Sequence, residues 1–402
     1  MASITFSELK DTSTRYWFLA GLIGLFAALG LGSAYYMEHH GHIVTGMNNS
    51  IVWGMPHVFA VFLIVAASGA LNAASIASVF GKMVYKPLAP LSGLLAIALL
   101  AGGLTVLMLD LGRPDRLIIA MTYLNPKSVF AWNVLLYTGF FTFVAVYLWT
   151  MMDKTKGAYT KAAGMAAFIW RLVLTTGTGS IFGFLVAREP YSTALLAPMF
   201  IILSFAYGMA LYLLVLIAAY TGSGRPLGDA ILQRLGRLLG VFVAASLYFV
   251  FVYHLTNLYF PKQHAVEKFI LLDGGIYTTM FWLGQIIIGG VLPLIILLNA
   301  KLRASRTLLV AACLMIVVGG LAQMYVTIIG GQAFPLDIFP GWQQSSSFFD
   351  GVTHHYAPSL PETLLGLGGL AIALLIVTLG IKVLRFLPAS LADADVDPHK
   401  KA

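Results

Sequence analysis

The sequence predicts an all-α membrane protein of about ten transmembrane helices, and three observations carry that expectation. Hydrophobic residues make up 59% of the 402 and charged residues only 10%, whereas a soluble globule is roughly 45–50% apolar. Runs of about 20 apolar residues, the length a 30 Å hydrocarbon core demands, recur at 16–36, 52–80, 87–109, 129–152, 162–186, 195–220, 236–258, 277–299, 307–329 and 365–383. Of the 24 Lys and Arg, seventeen fall in the amino end, alternate loops and the tail, and six fall in the loops opposite. By the positive-inside rule both termini are cytoplasmic, which predicts a multi-pass protein of the cytoplasmic membrane.

The spans organise the rest of the chain. Residues 1–15 are polar, carrying Glu8, Lys10, Asp11 and Arg15 without a leader pattern, so the first span is expected to be retained. Residues 16–383 form one membrane domain. Within it, 330–364 makes a long outer loop rich in Gly, Pro and aromatics, with the pair His354 and His355, and reads as an ordered cap. Residues 384–402 read as a disordered cytoplasmic tail.

The composition also excludes functions. A net charge of +8 could suggest nucleic acid, but the basic residues sit in short loops, as topology signals do. Cys313 is the single cysteine, so the chain makes no internal disulfide and by itself ligates no iron–sulfur cluster and attaches no c-type haem. A redox metal would come from a partner, a histidine-held haem excepted.

Charge is scarce, so its placement is informative. Leu109-Asp110-Leu111-Gly112-Arg113-Pro114-Asp115-Arg116 closes the third span, with Gly112 and Pro114 stopping the helix. One reading is a salt-bridged capping turn, Asp110 facing Arg113 and Asp115 beside Arg116. The other is the floor of a site or a docking patch, because a carboxylate at the edge of a bilayer core is costly unless used.

Polar residues inside the spans cluster in the outer half. His57 lies about five residues below the outer end of span two, roughly 8 Å at 1.5 Å per residue, and His254 is about as deep in span seven. Asp110, Asn133, Gln285 and Gln323 share that half, and no carboxylate lies in the middle of a span. Taken singly, each could merely bond a neighbouring helix; together at one depth they point to chemistry near the outer face. Arg171, near mid-depth, needs a carbonyl or anionic partner and is expected to find opened backbone or the hydroxyls of 175–180. The loop histidines His39, His40 and His42 read as solvated rather than as metal ligands, since adjacent positions rarely converge on one ion.

Trp53-Gly54 opening a span, the Asp110 to Arg116 turn closing the next, and Gly330-Gly331-Gln332 after span nine together resemble the polysulfide-reductase/NrfD family of membrane subunits. Ten spans, with the Gly330 to Pro340 and Ser345 to Asp350 patterns, resemble the branch that serves DsrMKJOP-type complexes of dissimilatory sulfur metabolism. The resemblance implies two four-helix bundles, spans two to five and six to nine, flanked by the first and last spans. It also implies a quinone pocket, for menaquinone or ubiquinone, near the outer face. A periplasmic, ferredoxin-like iron–sulfur subunit of the DsrO type would dock there, beside other subunits of such a complex.

By position, His57 would face the quinone headgroup, and Asp110 to Arg116 would border the pocket or its docking surface; Asn133, His254 and Gln323 enter by depth alone. A quinone exchanges two protons, so its pocket needs a group titrating near neutrality, for which histidine is suited. His57 is thus the expected proton-exchanging group and Asp110 its relay, with Arg113, Asp115 and Arg116 for docking. Two other readings remain open: His57 and His254 as axial ligands of a b-type haem, and a secondary transporter, which lacks its usual mid-membrane acid here.

Overall fold

The computed structural model describes residues 5–9, 13–336 and 351–396. Among them are ten helices long and apolar enough to cross a membrane: α1 Thr14–His40, α2 Met55–Ser78, α3 Met83–Leu109, α4 Val129–Met152, α5 Thr155–Gly183, α6 Leu196–Ser223, α7 Asp229–Tyr259, α8 Ile276–Leu298, α9 Arg306–Ala333 and α10 Leu360–Val383. The ten predicted spans are all present, lengthened at several ends by polar turns that the apolar runs do not include.

The chain folds into the two expected bundles, α2–α5 and α6–α9, joined where α2 packs along α6. The outer two helices are arranged differently from simple flanks. α1 packs on α10, and α10 lies against α3 and α2, so both sit on the first bundle. α2 is the central helix: 94% of its membrane window is buried, against 22% for α1 and 17% for α4. Such a helix has no polar face to offer lipid or water, and it reads as apolar on every side.

Close approach of α2 and α6 depends on two glycines. A Cβ at Gly69 would run into the Ser204 carbonyl, and one at Gly208 would run into the Gly69 backbone. Small residues at a crossing let backbones touch where no hydrophobic effect drives helices together. Just beyond, α2 breaks into segments 55–70 and 72–78. Arg171 enters that break, donating to the Ser68 carbonyl at 2.9 Å and to Asn72 Oδ1 at 2.8 Å, with its guanidinium over the Phe168 and Phe205 rings. Opened backbone is therefore its partner, as expected; Thr175 takes part through the Ser68 hydroxyl, at 2.7 Å.

At the end of the bundles where α1 begins and α10 ends, Phe6–Ser7 pairs antiparallel with Leu387–Pro388. Arg225 ties the two strands together, donating to the Ser7, Glu8, Leu387 and Pro388 carbonyls. This corrects the expectation of a disordered tail through residue 396: Leu387, Leu391 and Val396 are buried, because the tail packs against the end of α6 and the loop after it. Residues 337–350 of the predicted cap and 397–402 of the tail lie outside the described residues.

Gly208→Leu should lower the melting temperature of the detergent-solubilised protein by forcing α2 and α6 apart, at a cost of about 1–3 kcal/mol; an unchanged melting curve would show that the crossing does not bear on stability.

Candidate functional site

The opposite end, where α2, α4, α6, α8 and α10 begin, carries the candidate chemistry. α2 starts at Gly54 without a side-chain cap, leaving orphan amides in the first turn. Residues outside the helix satisfy the strap that leads into it. Gln332 Oε1 accepts from the Val52 and Trp53 amides, both at 3.0 Å, and its Nε2 donates to the Trp53 carbonyl. Arg188 donates to the Gln332 and Ser50 carbonyls, each at 2.9 Å, and burial lowers its pKa.

On the other side of the strap, the Met55 amide donates to the Tyr356 hydroxyl, which donates to Glu362 Oε1, both at 2.7 Å. Glu362 is fully buried and also accepts from the Gly46 and Ser359 amides. Burial, with the Glu362 carboxylate beside it, raises the Tyr356 pKa and keeps its phenol a donor. Any side chain at Gly54 would collide with this pair.

The strap fixes His57 one turn into α2. Its Nδ1 lies 2.8 Å from Asp110 Oδ2, with Asp110 buried at the end of α3. The two are close enough to pair by charge, yet they are not aligned as a hydrogen bond, and neither Asp110 oxygen has a hydrogen-bond partner among the described residues. A buried carboxylate left so is costly. The Trp53 indole lies near-parallel to the His57 ring at 6.1 Å and meets Phe130 and Phe182. Asn133, a turn beyond Phe130, donates to the Val129 carbonyl and keeps a buried Oδ1 without a partner among the described residues.

The Asp110 to Arg116 turn is not the self-paired cap of the first reading. Asp110 turns inward to His57, whereas Arg113 grips Asp115 through two 3.0 Å bonds. Hydrogen bonding to Arg113 holds the Asp115 carboxyl below its ordinary range. Arg113, Asp115 and Arg116 lie toward the surface, which suits docking.

The expected grouping by depth divides in two. His254 and Gln323 belong to the second bundle, where His254 Nδ1 lies 2.7 Å from Glu267 Oε2 and Asn257 donates to Glu267 Oε1 at 2.9 Å. Gln323 Oε1 accepts from Tyr207 at 2.7 Å. Gln285 lines the same cleft as His254, Glu267 and Gln323. Among the described residues, no three His, Cys, Asp or Glu side chains gather as a metal cluster would.

Sequence reasoning missed Glu267, Glu362, Tyr356, Arg188 and the role of Gln332. Glu362 was legible: Ser359-Leu-Pro-Glu362 before an apolar run is a capping box, and both of its bonds form. Glu267 was hidden because the loop between α7 and α8 folds back inward as a short helix, His264–Lys268.

This is a ten-span membrane protein in which an imidazole–carboxylate pair stands at the same end of each of two packed bundles. The family model for polysulphide reductase, NrfD, matches residues 43–336, and the chain belongs to that family. It is 28% identical over 389 residues to the Hdr-like menaquinol oxidoreductase integral membrane subunit of Archaeoglobus fulgidus, covering 96% of this chain and 97% of the relative. It is 24% identical to a subunit of the selenate reductase of Mesobacillus selenatarsenatis, over 90% of this chain and 92% of that one. A polysulfide reductase polypeptide of Wolinella succinogenes is 25% identical over 71% of this chain and 96% of its own length.

Glu362→Ala should leave the Gly46 and Ser359 amides and the Tyr356 hydroxyl without their acceptor, at about 1–3 kcal/mol for each buried group. A drop in thermal stability much larger than that of Glu362→Gln is expected; equal stability of the two would remove Glu362 from the clamp.

Proposed function

We propose that this chain is the quinone-interacting membrane subunit of a multi-subunit redox complex, linking the membrane quinone pool to an iron–sulfur partner. The observation that carries the reading is the His57–Asp110 pair: a buried carboxylate close to a half-buried imidazole, without aligned hydrogen bonds, on a strap held from both sides. The relatives named for menaquinol, selenate and polysulfide chemistry support it, with menaquinone the favoured carrier. The finer reading is a DsrP-like subunit of dissimilatory sulfur metabolism in the cytoplasmic membrane, both termini cytoplasmic. The His57 end then faces outward, toward a periplasmic DsrO-like iron–sulfur subunit.

The residues present fit a quinone headgroup. His57 offers Nε2, which has no hydrogen bond among the described residues, and Trp53 supplies a flat apolar wall; Asn133, with its unpartnered oxygen, is the further candidate on this side. Bound there, a quinol would supply two electrons and two protons. His57 takes a proton at Nε2 while Asp110 stabilises the imidazolium through Nδ1, so the charge that develops meets a fixed opposite charge in a low-dielectric site. From His57 the proton leaves toward the near aqueous face, because Asp110 ends its helix there. Arg113 and Arg116 present positive charge at the same rim for an acidic partner surface.

His57→Ala should abolish quinol-dependent reduction of the partner's cluster in the assembled complex, and Asp110→Asn should retain activity with an altered pH profile. Full turnover in His57→Ala would refute the site. Arg113→Glu with Arg116→Glu should weaken copurification of the iron–sulfur subunit, most at low salt; retention at every ionic strength would move the docking surface elsewhere.

A further inference from the structure

The second bundle repeats the chemistry of the first without being needed by it. Glu267 is 1% exposed, paired with His254 and held by Asn257. The pair opens on a cleft lined by Tyr253, Gln285, Gln323 and Thr327 among apolar side chains, with free space for water of about 40 Å³. That volume holds roughly three water molecules. A second gap of about 20 Å³ continues from Gln285 and Gln323 past Tyr207 and Ser246. Gly289 and Gly319 line this gap and bring α8 and α9 so close that a Cβ on either would strike the opposite backbone.

Three walls of the cleft are π-helical: 269–273, 280–291 and 326–330. π-Turns are rare, cost regular hydrogen bonding and gather at functional sites. The third wall matters most, because the segment carrying Val326, Thr327 and Gly331 runs straight into Gln332, which grips the strap before His57. From the other side, Gln323 bonds Tyr207, whose ring packs on Phe62 of α2 at 5.2 Å. Two contacts therefore join the cleft to the helix that carries His57.

We propose that the His254–Glu267 cleft is a second, hydrated proton-binding site, and that its charge state is transmitted through α9 to the strap that positions His57. The ligand is a proton delivered by water. In this proposal His254 Nδ1 donates to the Glu267 carboxylate, 2.7 Å away, and the added proton lands on Nε2, turning a net negative pair into a neutral one. No electron moves. The charged and titratable groups around it are Tyr253 and His264, the Lys262–Glu189 and Lys268–Asp273 ion pairs, and Arg188 across the strap. The transmission to His57 rests on the quinone reading above; the proton site itself does not.

The test uses the whole complex in lipid nanodiscs and compares wild type with Glu267→Gln, His254→Gln and Asp110→Asn. Acid-minus-alkaline infrared difference spectra in H2O and D2O should lose one histidine or carboxylate signature in each second-bundle variant, distinct from the one lost in Asp110→Asn. Quinol-dependent activity of the second-bundle variants should persist with a displaced pH profile. Difference spectra of Glu267→Gln and His254→Gln identical to wild type would overturn the site. Lost signatures with an unmoved pH profile would overturn the transmission. If His57→Ala keeps full turnover, the quinone reading fails while the infrared result still decides the proton site.

Discussion

A carboxylate that cannot reach water governs this end of the molecule. Asp110 closes an apolar helix, is buried, and among the described residues has only His57 within ion-pairing distance. Removing a charge from water costs several kcal/mol unless an opposite charge and hydrogen bonds make it good. Here the imidazole is nearby but the hydrogen bonds are missing, so the pair gains most when a proton or a polar ligand joins it. The surroundings are arranged to keep it in that state. Gln332, Arg188, Tyr356 and Glu362 hold the strap before His57 so firmly that the imidazole cannot retreat to a better partner.

That rigidity is drawn from distant parts of the chain. The strap belongs to the loop after α1, its clamps to the ends of α9 and α10 and to the α5–α6 loop, and the carboxylate to α3. A site assembled from so many elements stays in register only if the bundles do, which places weight on the glycine crossing of α2 with α6 and on the Arg171 bridge to the broken turn of α2. Packing of the membrane interior and geometry of the proton site are thus one problem, solved by small residues where backbones must touch and by a single arginine where a carbonyl is left open.

Much of this was legible in the sequence. Span number follows from apolar length alone, and the bundle pairing was implied by the family resemblance carried by the motifs at Trp53, Asp110 and Gly330. His57 and Asp110 stood out because polar residues near one depth of an apolar chain need a reason to be there. Depth, however, is one coordinate of three: it grouped His254 and Gln323 with His57, although they lie in another bundle. It could not reveal Glu267, which reaches the interior from a loop, nor Glu362, whose role is set by the amides of Gly46 and Ser359 folding over it. The tail was misjudged for a related reason, since scattered apolar residues such as Leu387 and Leu391 acquire meaning only when a surface is there to receive them.

The central claim is that the carrier's ring meets His57. It is tested most directly by imaging the assembled complex at high resolution with a tight-binding quinone analogue. The expected map shows the ring beside Trp53 with one oxygen on His57 Nε2. A ring at the end of the bundles where Phe6–Ser7 pairs with Leu387–Pro388, or a His57 side chain pointing into lipid, would contradict the account.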